Sequence, residues 1–380
     1  MNYNLRYFYP VVRQSFNDTQ PALWSEVQDK WSQKDYKVAV RALLAFLGVK
    51  DPENNDHFVL AHGSVVIHLY LQEKDIDIRA PFLDISEGQR MPLLRQAAQL
   101  NYEPLTISSI QLSGNELIFH FNTPYELCDP YKLFDVLKEM CIHADLYDDS
   151  FIRRFKAKRI IAPRIRPFPP EIQSLAIQHF RQILQDTVEA ISYLEQNRQH
   201  IYQWDIYTLL LLRIDDNVCP NGHIRGLIEK GIADMHSPVE LSEKLLRGKA
   251  LLKTFLELTD EQVSEDLYAI ETLVPLKERA TAETVKTRLN RILIQIDKEY
   301  QQNDFLACNL TAAYHILYLL YEFTLDDQHY TLIKDILPAA SGQLLRKAAE
   351  DIIRQLRQAV ATITEEKISL PGKKKSSFYN

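Results

Sequence analysis

A basic, proline-rich segment near the middle of the 380-residue chain constrains the fold more than any other sequence feature. Residues 162–170 contain four prolines, and residues 151–170 contain seven basic and no acidic residues. Proline lacks a backbone N–H donor and disfavours helix in the residue before it, so we expect regular structure to stop here. We therefore predict a linker over residues 161–170, between a first domain at residues 1–160 and a second at residues 171–365.

The composition is that of a globular protein without a glycine-rich nucleotide loop. Hydrophobic residues make up 46% of the chain and charged residues 25%, which is enough apolar material for a buried core. Glycine occurs only ten times, and the chain contains neither a G-x-G-x-x-G nor a Walker pattern. The four cysteines form no C-x-x-C pair, which indicates a reduced intracellular chain. We predict no bound cofactor.

Neither the N-terminus nor the apolar runs predict a membrane-directed protein. The first 16 residues contain no basic segment followed by an apolar stretch, so we predict no signal peptide. The longest apolar runs are far shorter than the ~18 residues that a bilayer-spanning helix needs. We therefore expect a cytoplasmic protein with no membrane contact.

Strand and helix patterns alternate in the first half of the chain. Residues 64–71 and 75–80 alternate along the chain with the period of two that a half-buried strand requires. The predicted strands are 57–61, 64–71, 75–80, 106–112 and 116–121, and the predicted helices are 35–47, 88–100 and one that starts at Asp129 and Pro130. The order α-β-β-β-α-β-β-α with short connections predicts an α+β domain, an antiparallel sheet with covering helices.

Four stretches of this half carry a resemblance to a known family. They are SVVIHLYLQEKDIDIRAPFL, RMPLLRQAAQLNYEP, ISSIQLSGNELIFHFNTPYEL and a helix that ends in HADLYDD. Over residues 30–155 the chain resembles the type III secretion chaperone-like fold, in its YbjN-like branch. The resemblance implies a small α+β domain that often dimerises and binds other polypeptides without a catalytic site. It also suggests a homodimer formed through the helix that carries Met91, Leu94 and Ala98.

Beyond residue 170 the strand patterns give way to helical ones, separated by prolines and short polar breaks. Helices with broad apolar faces, such as residues 304–323, need neighbouring helices to cover them. We therefore predict an all-helical bundle domain at residues 171–365. Residues 366–380 lack apolar periodicity and are predicted to form a flexible tail.

One spacing matches that of nucleotidyltransferases. Gly63-Ser64 is followed after ten residues by Asp75 and Asp77, two carboxylates on one side of a strand that could hold Mg²⁺ against nucleotide phosphates. That chemistry needs a helix that begins at the serine and a third carboxylate on a later strand. Because residues 65–71 alternate with a strand period and residues 117–121 contain no acid, we expect hydrated acids on a solvent-facing strand edge instead.

Other candidate groups have simpler structural explanations. Cys219 and His223 have the local form of half a zinc site, but no second half exists at the usual spacing. We predict a turn with a buried thiol there, and no metal site in the chain. His68, His120 and His143 lie in no recognisable catalytic context, so we expect structural or surface histidines.

The basic run of residues 151–166 alternates with aromatic and aliphatic residues, as some nucleic-acid-binding segments do. Both flanking parts of the chain are acidic, with 13 basic against 21 acidic residues in 1–150 and 24 against 30 in 171–380. Long-range repulsion would oppose a polyanion, so a nucleic-acid partner is disfavoured. We expect the basic side chains to make intramolecular contacts with the acidic parts.

The sequence favours a non-enzymatic protein-binding, chaperone-like module. Its sheet face and helix grooves would hold an extended or helical segment of a protein or peptide partner, and its acidic surface would select basic partners. Candidate contact residues on the mixed strand face are Val66, His68 and Tyr70. Two alternatives stay open: a metal-dependent nucleotidyltransferase that uses Asp75 and Asp77, and a helical scaffold that acts through residues 171–365.

Overall fold

The computed structural model of the protein describes residues 5–13, 19–50, 52, 55–275 and 277–363. The tail predicted at residues 366–380 lies outside the described residues, and so does part of the N-terminal stretch that bears on a signal peptide.

The chain divides into two compact units, each built from segments that are distant in sequence. The sheet unit comprises Pro10–Thr187 and Arg213–Leu276, and the helical unit comprises Met1–Tyr9, Val188–Leu212 and Lys277–Asn380. The predicted linker therefore falls within the sheet unit. Compactness is a different property from independent folding, and the domain limits predicted from the sequence stay a prediction.

The sheet unit is built around an antiparallel sheet. Its strands are β1 (His57–His62), β2 (Val65–Leu71), β3 (Asp75–Asp84), β4 (Ser109–Ser113), β5 (Glu116–Pro124) and the short β6 (Lys158–Arg159). The strand order is β1-β2-β3-β5-β4, and β6 pairs with the end of β3. All neighbouring strands run antiparallel, which confirms the sheet predicted for this half of the chain.

Within the described ranges of the first half, four α-helices accompany this sheet. They are α1 (Trp24–Ser32), α2 (Tyr36–Phe46), α3 (Arg90–Tyr102) and α4 (Pro130–Phe155). The predicted start of α4 is confirmed, because the side chain of Asp129 accepts a hydrogen bond of 2.9 Å from the backbone N–H of Lys132. Helix α1 was not predicted, although Trp24, Val27 and Trp31 follow helical spacing; Val27 is buried, and the two tryptophans pack against the core.

One face of the sheet forms the core of this unit. Alternate side chains of β2 and β3, such as Ile67, Leu69, Ile76 and Ile78, are fully buried and share one hydrophobic cluster with residues of α2, α3 and α4. The predicted alternation of burial is observed from Ile67 to Leu71 and from Ile78 to Phe82, whereas Val66 and Asp77 are buried as well. The opposite face, which we call the outer face, carries polar side chains together with the ring of Tyr70.

The proline-rich segment contains a strand, contrary to the expectation that regular structure stops there. Strand β7 (Ile165–Pro167) pairs antiparallel with β8 (Tyr268–Ile270), in a region predicted to be purely helical. Proline is tolerated in a short strand at a sheet edge, because its missing N–H costs no bond in the sheet interior. Strands of three residues also show too few alternations to be recognised from sequence.

The remaining helices follow the predicted helical pattern of the second half. They are α5 (Pro170–Gln196), α6 (Gln203–Val218), α7 (Gly222–His236), α8 (Leu241–Glu257), α9 (Asp260–Glu265), α10 (Ala282–Gln301), α11 (Phe305–Glu322), α12 (Asp327–Ile333), α13 (Ile336–Ala340) and α14 (Leu345–Thr362). In the helical unit α10, α11 and α14 pack against one another, and β9 (Glu278–Arg279) pairs parallel with β10 (Phe323–Thr324). The α+β fold class with a helical C-terminal region is thus confirmed. No helix in the described part of the chain is long and apolar enough to cross a membrane.

Candidate interaction face

The outer face of the sheet brings together residues from four neighbouring strands. Cross-strand pairing sets His57 of β1 opposite Tyr70 of β2, and Tyr70 opposite Asp77 of β3. In the next row, His68 of β2 lies opposite Arg79 of β3. Arg79 in turn lies opposite His120 of β5. Directly opposed side chains of antiparallel strands lie within contact distance, so the register itself assembles this group.

Stacked rings form the accessible part of this face. The rings of His57 and Tyr70 are nearly parallel, with centroids 4.2 Å apart, and His57 is exposed. The Nε2 atom of His57 lies 3.1 Å from Nδ1 of His68, within hydrogen-bond distance. The guanidinium of Arg79 lies 5.9 Å from the centre of the Tyr70 ring, in the range of a cation–π contact. These four side chains form one surface that is both aromatic and cationic.

A buried carboxylate holds the cation of this surface in place. The Asp77 side chain is only 3% exposed. It accepts hydrogen bonds from Nε and Nη2 of Arg79 at 3.1 and 2.5 Å, and its Oδ1 lies 3.0 Å from Nε2 of His120. The hydrogen bond to Asp77 is the main cause that raises the pKa of Arg79.

The expectation that Asp77 is a hydrated acid on a solvent-facing strand edge is wrong. Strand β3 is central in the sheet, and the neighbouring side chains of Arg79 and His120 enclose the carboxylate. Asp75 is half-buried near the start of the same strand. Sequence spacing placed both acids on one side of the strand, but the cross-strand neighbours that bury one of them depend on the register with β5.

The environment of His68 favours its neutral form. Burial lowers its pKa below the ordinary value of 6.5, and the charges of His57 and Arg164 lower it further. Arg164, from the proline-rich segment, is exposed and acts electrostatically on the sheet face. A neutral imidazole can donate one hydrogen bond and accept another, so His68 can pair with either kind of partner group.

The predicted contact residues differ in their exposure. His68 and Tyr70 are half-buried and belong to the stacked surface, whereas Val66 of the same strand is only 4% exposed and is covered. Of the residues predicted for a dimer, Met91 is 61% exposed and Ala98 is also exposed. Leu94 is partly buried and packs against the core of the sheet unit.

A second polar group surrounds the Gly63-Ser64 turn between β1 and β2. No helix begins at Ser64: the strand β2 starts at the next residue. The Ser64 hydroxyl oxygen lies 2.8 Å from Oδ1 of Asp145 and 2.5 Å from Oδ2 of Asp148. A hydroxyl group carries one proton, so only one of these contacts is a bond that Ser64 donates. The two carboxyl groups therefore share one hydroxyl proton between them.

Burial raises the pKa of the acids around this hydroxyl. Desolvation is the largest cause that raises the pKa of Asp148, to about 7, and the neighbouring Asp149 adds to it. Burial also raises the pKa of Asp145. Arg159 opposes these shifts with a 2.9 Å bond from its Nε to Asp148 and an ion pair to Asp149. We call Ser64, Asp145, Asp148, Asp149 and Arg159 the serine–aspartate cluster. It links the β1–β2 turn to α4 and β6.

Sequence reasoning missed this cluster, although a signal for it was present. The acids of HADLYDD are spaced i, i+3 and i+4, which places them on one side of α4. The sequence pattern does not show that these acids contact the Gly63-Ser64 turn, because the turn lies more than eighty residues away in the chain. Contacts of that kind follow from the packing of α4 on the sheet.

The remaining candidates are structural. In the described part of the chain, no group of three or more histidine, cysteine or acidic residues is arranged to hold a metal ion. The thiol of Cys219 is buried, and its Sγ lies 3.1 Å from the carbonyl oxygens of both Val12 and Asp216. Burial lowers the pKa of both His223 and His143.

Much of the basic run is engaged within the sheet unit. Lys158 pairs with Glu87 at 2.6 Å, and Arg153 lies 3.6 Å from Asp266. Together with the bonds of Arg159, these contacts confirm that basic side chains of this run make intramolecular ion pairs. The pKa of Asp266 nevertheless rises to about 6, chiefly because of burial.

Comparison of the chain with protein-family models, with curated proteins and with solved structures finds no match. The resemblance to the YbjN-like family therefore stays a prediction from the sequence.

Proposed function

We propose that the protein is a non-enzymatic protein-binding module and that the outer face of its sheet contacts the partner. One observation carries the proposal: the stacked rings of His57 and Tyr70 beside the Arg79 guanidinium. Tyrosine and arginine dominate the energetic centres of protein interfaces because they combine large flat contact areas with polar tips. Here they are held together on a rigid sheet.

The arrangement is suited to binding because its side chains are positioned before a partner arrives. Arg79 is fixed by its bonds to buried Asp77, and His57 is fixed by the ring of Tyr70 and by His68. Side chains that are already ordered lose less conformational entropy when a complex forms. A preformed surface of this kind stabilises a complex without a large rearrangement of the sheet.

The expected partner is a polypeptide with flat apolar or aromatic side chains at the point of contact. Such side chains can pack against the exposed His57 ring and the exposed guanidinium of Arg79. The net charge of −7 on the chain attracts a basic protein at long range and speeds its encounter. The apolar or aromatic side chains of the partner thus make the contact, while its positive net charge speeds the encounter.

A matched set of alanine variants tests the proposal. We expect Tyr70→Ala and His57→Ala to weaken binding of a protein captured with the full chain about tenfold or more, as loss of an interface hot spot does. Tyr102→Ala is the control, because Tyr102 is 88% exposed and lies on α3 rather than on the outer face. His57 is exposed, so its variant guards against loss of binding through unfolding. Equal affinities for all three variants would refute the proposal.

The nucleotidyltransferase alternative has less support. Ser64 precedes a strand, and Asp77 already accepts bonds from Arg79 while it lies beside His120. The scaffold alternative, which assigns function to residues 171–365, has no specific observation in its favour.

A further inference from the structure

The helical unit contains a small polar cavity between α10 and α11. These helices run antiparallel, because Arg288 pairs with Glu322 near one end and Glu299 accepts from Thr311 near the other. Side chains spaced i, i+3, i+4 and i+7 on both helices line a cavity of about 240 Å³: Arg288, Arg291, Ile292 and Gln295 from α10, and His315, Tyr318, Leu319 and Glu322 from α11.

The cavity contains more cationic than anionic groups. Arg288 is held in position by a 3.0 Å bond to Glu322 and by the ring of Phe323, whose centre lies 5.7 Å from the guanidinium carbon. Arg291, one turn further along α10, is exposed and has no ion pair within the described ranges. Two guanidinium groups thus face one carboxylate, which leaves a net positive charge in the cavity.

His315 adds a third polar group to this wall. It is half-buried, and burial lowers its pKa, with a further contribution from Arg288. The neutral form of the imidazole is therefore favoured, and this form can donate one N–H. The cavity offers two guanidinium forks and one ring N–H to a ligand, and guanidinium forks match the spacing of phosphate oxygens.

We propose that this cavity binds the phosphate group of a small phosphate monoester, with Arg291 as its principal ligand and Arg288 and His315 as supporting donors. The cavity volume favours a small molecule, because pockets for drug-sized ligands are usually about 300–1,000 Å³. This site is independent of the outer face of the sheet, and it would give the helical unit a binding function of its own.

Titration of the full-length protein with inorganic phosphate at constant ionic strength tests the site, with calorimetry as the measurement. We expect saturable binding that Arg291→Gln weakens about tenfold or more, since a charge-assisted pair of hydrogen bonds is lost. Arg354→Gln is the control, because Arg354 is an exposed arginine on α14. Its phosphate affinity should stay within about twofold of the wild-type value.

Three outcomes would overturn the proposal. One is the absence of saturable phosphate binding, and the second is an equal effect of Arg291→Gln and Arg354→Gln. The third comes from a comparison of phenyl phosphate with a phosphoserine peptide. A small monoester that binds at least as tightly as the peptide supports the assignment, whereas clearly tighter peptide binding would assign the cavity to a phosphorylated protein. Because Arg291 is exposed, loss of folding does not confuse the result.

Discussion

Individual residues at the β1–β2 turn fix how the sheet meets α4. Gly63 has a φ of +58°, and a Cβ atom placed there would lie 2.1 Å from Oδ1 of Asp145. Gly114, in the turn between β4 and β5, has nearly the same φ of +62°, but a Cβ atom there would meet nothing within 4 Å. Substitutions at the two glycines therefore distinguish backbone strain, which both positions share, from a steric clash, which occurs at Gly63 alone.

We predict that Gly63→Ala lowers the free energy of unfolding by about 3 kcal/mol, because left-handed backbone strain and overpacking against Asp145 add together. Gly114→Ala should cost only about 1 kcal/mol, since it carries the strain alone. Urea unfolding of both variants measures the difference. Equal losses would show that the turn does not pack on Asp145 as described.

The serine–aspartate cluster predicts a pH dependence with a definite sign. The pKa of Asp148 is about 7 in the folded protein, against 3.8 for an ordinary aspartate. Between these values the folded state binds more protons than the unfolded state, so stability falls as pH rises from about 4 to about 7. Asp266, whose pKa rises to about 6, contributes with the same sign.

We expect Asp148→Asn to reduce this slope, because an amide does not titrate. Between pH 5 and pH 8 the variant should lose less stability than the wild-type protein, by about 1 kcal/mol or more. Urea unfolding at several pH values gives both slopes. Identical slopes would mean that Asp148 is ionised in the folded protein across this range.

At the scale of elements, α3 presents an exposed surface whose role is still a prediction. Met91 is 61% exposed there, and the family resemblance suggests a dimer through this helix. If so, sedimentation of the full chain at tens of micromolar should give a dimer, and Met91→Glu should convert it to a monomer by placing a charge in an apolar contact. Leu241→Glu on α8, at a residue 42% exposed, is the control and should leave the dimer intact. A monomeric wild-type protein would exclude this role.

Elements with strong periodicity were predictable from the sequence, and short or weakly apolar ones were not. The period-two patterns located β2 and β3, and Asp129-Pro130 located the start of α4, because each depends on local backbone preferences. Strand β7 was missed because three residues provide too little pattern. The candidate face was predicted only in part: β2 supplied His68 and Tyr70, whereas His57, Arg79 and His120 join them through cross-strand register.

At the scale of the whole molecule, the positive charges of the basic run pair with acidic residues of the same compact unit. The basic run ending in the proline-rich segment suggested contacts with both acidic parts of the chain. Its observed ion pairs confirm this, because Glu87, Asp148 and Asp149 belong to residues 1–150 and Asp266 to residues 171–380; all four acids lie in the sheet unit. Composition predicted that the charges would be compensated, but the choice of partners depends on tertiary packing.

The most direct test of the central claim is photo-crosslinking in cells with the full-length protein. A photoreactive amino acid replaces His57 on the outer face or, as the control, Tyr102 on α3; both side chains are exposed. We predict a discrete protein adduct from position 57 that position 102 does not give, and that Tyr70→Ala in the same chain abolishes. Adducts of equal yield from both positions, or none from position 57, would contradict an outer face that binds a protein partner.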